Sequence, residues 1–219
     1  MLDKPETRPL FADDEDAEFY RWFGAWQPLS PAEVATMMAG VDVPWWIIGG
    51  WAVDAFTRQP REHEDIDVSI FANDLPAVAA HLSADYCLWS NVNGTIRPLR
   101  SPGELLEGCH QMWIRRDGDS PWLADLALHP HADGDWRSRR DERIRLPLDE
   151  AIFVADDGIR YLRPEVVLLL KARLARPKDE RDLATILPLL EPDRRAWLQH
   201  MLELTHPGHS WLARVRGDS

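Results

Sequence analysis

Only two cysteines, Cys87 and Cys109, occur in the 219 residues. Neither belongs to a Cys-x-x-Cys pair, so a thiolate metal site and a disulfide framework drop out; a single bridge stays open, and reduced thiols suit a cytosolic chain. No apolar run is long enough to span a bilayer. The first residues, Met1-Leu2-Asp3-Lys4-Pro5, are charged and lack an apolar signal core, so neither secretion nor a membrane partner is expected, and the expected location is cytoplasmic. Positive charge is also scarce: 25 Lys and Arg face 37 Asp and Glu, for a net charge of −12. That balance argues against a duplex nucleic-acid partner, which demands basic patches to replace counterions. It suits a cationic small substrate, or simply solubility. Internal repeats and low-complexity linkers are missing as well.

Tryptophan is what the chain has in excess, eleven residues. Indoles fill cores and pocket walls, and a pocket that stacks flat rings or sugar faces is one use for them. A hydrophobic content of 45% supports a packed core. The length fits one large domain or two modest ones.

The strongest signal lies between Ile47 and Ile70. An apolar run, Pro44-Trp45-Trp46-Ile47-Ile48, leads into Gly49-Gly50; a short stretch later comes His63-Glu64-Asp65-Ile66-Asp67-Val68-Ser69-Ile70. In a strand alternate side chains share a face, so Asp65 and Asp67 point one way while Ile66, Val68 and Ile70 face the core. Two carboxylates on one face repel each other and lose hydration unless a cation joins them. Magnesium is the natural cation, since carboxylates and substrate phosphates are its usual ligands. The glycine pair lets backbone approach phosphate oxygens closely. This order of strand, Gly-Gly, helix and Asp-x-Asp strand resembles the nucleotidyltransferase signature of the DNA polymerase β-like superfamily.

The coarse organisation follows from capping and periodicity. Ser30-Pro31-Ala32-Glu33 reads as a capped helix start, with the helix ending at Gly40. A buried strand covers 45–48, a helix 51–56, a second strand 65–71 and a helix 74–81. Strands are expected at 86–89, 111–114 and 122–128, with weaker ones at 144–146 and 152–154. Residues 93–108 read as irregular or as a hairpin. From Pro164 the pattern becomes helical, with helices at 164–174, 180–190 and 193–204. The picture is α+β: an acidic and aromatic N-terminal extension over 1–27, a catalytic domain over 28–158, and a helical domain over 159–219, divided near the turn Asp156-Asp157-Gly158.

Nucleotidyl transfer needs a hydroxyl aligned with the α-phosphorus of a nucleoside triphosphate, neutralised phosphates and a departing pyrophosphate; metals and positioning do most of that work. Asp65 and Asp67 would hold the metal that grips the triphosphate. A third carboxylate on an adjacent strand would hold a second metal or accept the hydroxyl proton. Asp125 is the candidate, lying in the apolar run Leu123-Ala124-Asp125-Leu126-Ala127, where an unpaired carboxylate is costly; a buried acid paired with an arginine is the structural alternative. His63 shares the strand phase of the two aspartates if the strand begins that early, and suits a phosphate, a metal-bound water or a hydrogen bond to a loop. Arg58 and Arg61 lie in the connecting loop, within reach of phosphates or as surface charge. Trp51 reads as packing. Lys171 sits among leucines and needs an anion, either triphosphate oxygens or Asp179 and Asp182. Arg139-Arg140-Asp141 offers guanidinium forks for phosphate or plain surface charge.

A closer resemblance runs from about residue 28 to 212. The segments Pro44 to Asp54, Arg61 to Val68, Trp122 to Leu128, Arg139-Arg140-Asp141, Leu162-Arg163-Pro164-Glu165, Arg176 to Glu180 and Pro207-Gly208-His209 together resemble aminoglycoside 2''-adenylyltransferase-like proteins. The resemblance implies a nucleotidyltransferase fold, a small mixed sheet flanked by helices and followed by a helical subdomain. It implies transfer of AMP from ATP to an antibiotic hydroxyl with magnesium (Mg2+). It assigns the metal carboxylates to Asp65 and Asp67, the base-like acid to Asp125 and the glycine pair to Gly49 and Gly50. It leaves the acceptor open; acidic residues between 104 and 119 are offered to an amine-rich substrate. Two rivals stand beside this reading: a minimal nucleotidyltransferase of toxin–antitoxin type acting on a protein or tRNA, and a non-catalytic nucleotide-binding module.

Overall fold

The computed structural model describes residues 21–132 and 134–217. The acidic run Asp13-Asp14-Glu15-Asp16 and the aromatic Phe19 and Tyr20 of the N-terminal extension lie outside the described residues. The rest of that extension runs along the sheet: Gln27 N–H donates to the Trp122 carbonyl at 2.8 Å and Leu29 N–H to Leu123 at 2.9 Å.

Ser30 opens helix α1 (Pro31–Met37) with the reciprocal cap its sequence calls for. Ser30 Oγ accepts from Glu33 N–H at 3.3 Å, and Glu33 Oε2 accepts from Ser30 N–H at 2.7 Å. Strand β1 (Trp45–Ile48) then runs straight into α2 (Gly49–Thr57). The two glycines therefore form the first turn of α2 rather than a turn before it. There follow β2 (Asp67–Phe71), α3 (Leu75–Leu82), β3 (Cys87–Val92), β4 (Thr95–Pro98), β5 (Gln111–Arg115) and β6 (Trp122–His129). A short second sheet comprises β7 (His131–Ala132), β8 (Asp135–Arg137) and β9 (Arg145–Pro147). Helix α4 (Leu148–Ala151) leads to the hairpin of β10 (Ile152–Val154) and β11 (Arg160–Leu162).

The main sheet is mixed, in the order β10-β11-β1-β2-β6-β5-β3-β4. Strand β2 is antiparallel to β1 and parallel to β6, while β11 runs parallel to β1. One face is apolar: Ile66, Val68, Ile70, Ala124, Leu126, Met112 and Ile114 are wholly buried. They join the cluster that includes Val34, Leu75, Val78 and Leu82 from the helices. The opposite face carries the residues that alternate with them, Asp67, Asp125, Gln111 and Trp113 among them.

The second strand starts at Asp67, two residues later than the spacing suggests. Ile48 pairs with Asp67, and at Gly49 the neighbouring chain turns away into α2, so Asp65 has no strand beside it on that side. The turn at Asp157-Gly158 joins β10 to β11 inside the main sheet, and the helices begin at Pro164. Those helices are α5 (Pro164–Ala172), α6 (Pro177–Ile186), α7 (Pro192–Thr205) and α8 (Trp211–Arg216). A proline at the first position starts three of them, where its missing N–H costs nothing. Helix α5 packs on α7 and on α2, and α6 also touches α2. The helical half thus closes over the end of β1. No helix among the described residues is long and apolar enough to cross a membrane.

Candidate active site

Asp67 and Asp125 are direct neighbours. The parallel register of β2 and β6 sets Asp67 opposite Asp125, Asp125 opposite Trp113 on β5, and Trp113 opposite Trp89 on β3. Cross-strand partners share a face, so two carboxyls and two indoles form one row across four strands. Asp125 is buried, and the Gln111 carboxamide donates to its Oδ2. Burial, and after it the nearby Asp65, pushes the Asp67 carboxyl up to about 7. Burial and the charge of Asp67 push Asp125 well above the usual carboxylate range. Lys171, Lys178 and Arg139 pull Asp67 the other way.

Asp65 lies just before the strand, exposed, with its backbone carbonyl accepting from Trp51 Nε1 at 3.0 Å. It lines the same cleft as Asp67 and raises its neighbour's affinity for a proton. His63 lies outside the strand altogether. Its Nε2 is 2.8 Å from Asp54 Oδ2, and its ring stacks on Trp51 with centroids 4.1 Å apart. Of the partners its sequence position allowed, it takes neighbouring residues of α2. Arg61 is held by the same acid: its backbone N–H donates to Asp54 Oδ2 at 2.9 Å and its Nε lies 3.1 Å from Oδ1. Arg61 also reaches Asp182 on α6 at 2.5 Å. These bonds draw residues 61–65 onto α2 and off the sheet.

The glycines are needed for space. Gly49 has φ +74°, and a Cβ there would meet Asp67 Oδ2 at 2.6 Å. A Cβ on Gly50 would meet His63 Cε1 at 2.8 Å. No side chain caps α2, so its first-turn N–H groups are left for an anion beside Asp67.

A cleft of about 890 Å³ opens at the Asp67 end of this row, between the sheet and α5 and α6, with Asp67 and Gln111 in its lining. Lys171 lines it, bonded to Asp182 at 2.8 Å and Asp179 at 3.3 Å, while its charge still reaches Asp67. Arg139 and Arg140, just after β8, line it too, with Arg176, Lys178 and Arg181 from the α6 side. Arg58 is on the surface, paired with Asp156 at 2.8 Å. The acids between 104 and 119 stay out of the cleft: Glu104 pairs with Arg100, and Asp117 accepts from the Asp119 and Ser120 backbone N–H groups. Glu62, Glu64 and Asp65 are the acids at its rim.

The ion pair expected of Lys171 with Asp179 or Asp182 forms with both, whereas sequence reasoning passed over Asp54, Gln111 and His129. His129 lies on the cleft wall, 3.3 Å from Ser69 Oγ and between Trp46 and Trp136. Burial and then Arg139 lower its pKa to about 3, so it is neutral. Its signal was strand phase: position 129 is four residues beyond Asp125, on the same face.

Among the described residues, no three His, Cys, Asp or Glu side chains are gathered tightly enough to cage an ion. A metal here would be shared between carboxylates, water and phosphate. Two neighbouring hard-oxygen donors that repel each other, with a third nearby and open space above, fit magnesium on those terms.

A mixed sheet that sets paired carboxyls beside an uncapped, glycine-led helix start defines a nucleotidyltransferase. The sequence pattern of the aminoglycoside-2''-adenylyltransferases matches residues 32–141, half of the chain, and the chain belongs to that family. No curated protein matches it. Among solved structures, the solution structure of ANT(2'')-Ia is 17% identical, covering 86% of this chain and 95% of that one, with a TM-score of 0.50. The lincomycin-bound lincosamide antibiotic adenylyltransferase LnuA is 20% identical, covering 71% of this chain and 92% of that one, with a TM-score of 0.48. At 17% identity the likeness to ANT(2'')-Ia concerns the fold alone.

Proposed function

We propose that this nucleotidyltransferase moves AMP from ATP, with magnesium, onto a hydroxyl of a small antibiotic-like molecule, of aminoglycoside or lincosamide type. One observation carries the reading: Asp67, which lines the cleft, stands beside the buried Asp125 on the next strand and next to the uncapped start of α2. The acceptor hydroxyl attacks the α-phosphorus and its proton passes to Asp125. The new P–O bond forms as the bond from the α-phosphorus to the bridging oxygen breaks, and pyrophosphate leaves with that electron pair. The α2 N–H groups and Lys171 suit the β- and γ-phosphates. Asp65 and Asp67, with Asp125, would hold magnesium, which supplies charge neutralisation on the phosphates. The rim acids Glu62 and Glu64 form no ion pair among the described residues and suit the amines of an aminosugar.

A pyrophosphate-release screen with ATP against aminoglycosides and lincosamides tests this, with magnesium present and then chelated. Release is expected with at least one acceptor, lost on chelation, and lowered about a thousandfold or more in Asp67→Asn. Turnover close to wild type in that variant refutes the assignment. A labelled protein or tRNA in a cell extract supplied with labelled ATP would favour a macromolecular acceptor instead.

A further inference from the structure

We propose that Arg139 is a further catalytic residue, its guanidinium contacting the non-bridging oxygens of the transferred α-phosphoryl group. This rests on the adenylyl-transfer reading above. Arg139 is fixed at one end only: its Nη1 donates to the His110 carbonyl at 2.8 Å. His110 precedes Gln111, the residue bonded to Asp125. Arg139 is thereby anchored at the mouth of β5, one strand beyond the carboxylate pair.

Among the described residues, three of the cations across the cleft are already paired with an acid, whereas Arg139, like Arg140, Lys178 and Arg181, is not. Arg61, Lys171 and Arg176 are each tied to an acid, Asp54, Asp182 or Asp179. Arg139 forms no ion pair among the described residues, in a chain of net charge −12. Burial lowers its affinity for its proton, and the charges of Asp125 and then Asp67 partly offset that. A guanidinium that faces two carboxylates without closing on either leaves a gap that an anion bridging metal and arginine would fill. The fork of a guanidinium matches two phosphoryl oxygens.

Sheet order decides which phosphate that is. The glycine-led start of α2 lies at β1, the aspartates on β2 and β6, and Arg139 at β5. With the β- and γ-phosphates at α2, the α-phosphorus lies over the aspartates, and Arg139 stands across the reacting centre from the leaving pyrophosphate. It is badly placed to hold the departing phosphates and well placed for the group in transfer, where fixed positive charge counts most.

Phosphorus NMR of Mg·ATP bound to the full chain tests the contact without any acceptor. The α resonance is expected to move in Arg139→Lys and Arg139→Ala, with the β and γ resonances in place. Turnover with tobramycin and lincomycin as acceptors gives a second measure, using ATP diastereomers that carry sulfur at one α-oxygen. Arg139→Ala should lower kcat about 100- to 1000-fold with little change in the KM for ATP. It should also narrow the diastereomer preference about tenfold, and Arg139→Lys should recover part of the rate. The Lys variant keeps the charge and guards against a folding defect. Unchanged α resonance and unchanged diastereomer preference overturn the role, as does an effect confined to acceptor KM, which would assign Arg139 to the acceptor. If wild-type chain binds no ATP, the adenylyl-transfer reading fails first and takes this one with it; if wild type binds and Arg139→Ala is indistinguishable, only this one fails.

Discussion

Asp67 shows how a single side chain can make stability depend on pH. Its carboxyl holds a proton to about pH 7 in the folded chain but ionises near its ordinary value of 3.8 when unfolded. Between those values the unfolded chain binds fewer protons, so metal-free stability falls as pH rises from about 4 through 7. His129 acts with the opposite sign. It is neutral down to about 3 when folded and ionises near 6.5 when unfolded, so its contribution is whole above 6.5 and fades as pH falls from there towards 3. The two slopes oppose each other below pH 6.5, and the aspartate acts alone just above it. Asp67→Asn should therefore melt at a higher temperature than wild type at pH 8 in EDTA, with the gap closing by pH 4. Thermal unfolding followed by circular dichroism reads this; a gap that does not depend on pH would show that Asp67 is not strained by its ionisation.

At the level of elements, the loop over 61–65 and helix α6 are clamped to α2 by a few acids. Asp182 is 1% exposed and takes both Arg61 and Lys171, bridging the connecting loop, α5 and α6. Its removal leaves Lys171 with Asp179 alone and Arg61 with Asp54. Asp182→Ala should cost about 3 kcal/mol in urea unfolding, the lower part of the range for a broken buried pair, because Arg61 stays partly solvated. Gly49→Ala should lower turnover more than stability. Its φ of +74° costs a non-glycine residue about 1 kcal/mol, while the new Cβ would push directly on Asp67 Oδ2. Equal turnover in Gly49→Ala and wild type would mean that Asp67 needs no fixed position.

These same elements mark what was legible in the sequence. The capped start of α1, the strand at Trp45–Ile48, the phase of Ile66, Val68 and Ile70, and the long apolar strand around Asp125 were readable because each carries its own local signal. The adjacency of Asp67 and Asp125 is a register, a property of two strands 58 residues apart that neither encodes alone. The reading of 93–108 as irregular or a hairpin stayed open because Thr95–Pro98 is a polar edge ending in proline; the structure makes β4 the second arm of a hairpin with β3. Strands β7 and β8 are too short for any period to show, while the weaker strands expected at 144–146 and 152–154 are β9 and β10. Asp182 was readable as a partner of Lys171, but its bond to Arg61 and the role of Asp54 depend on which helix meets which loop, and charge spacing along a chain does not say that.

Across the whole molecule, the cleft is closed by parts that are distant in sequence: the sheet with α2 on one side, α5 and α6 on the other, and the turn after β8 at the rim. A ligand that spans them is bound only by the folded chain, so it stabilises by mass action. At a hundredfold excess over its Kd the gain is about 2.7 kcal/mol. For a chain of this size that amounts to roughly 5–10 °C in Tm. ATP with magnesium should give a shift of that order. ATP in EDTA should give much less, because the uncompensated charges of Asp65 and Asp67 then face the phosphates. High salt should shrink the magnesium-dependent shift only modestly, since the facing charges are partly buried and poorly screened. A differential scanning titration checks all three conditions on one sample. A Tm that rises equally with and without magnesium would mean that the triphosphate is held by the cationic wall alone, and that Asp67 and Asp125 serve something other than a shared cation.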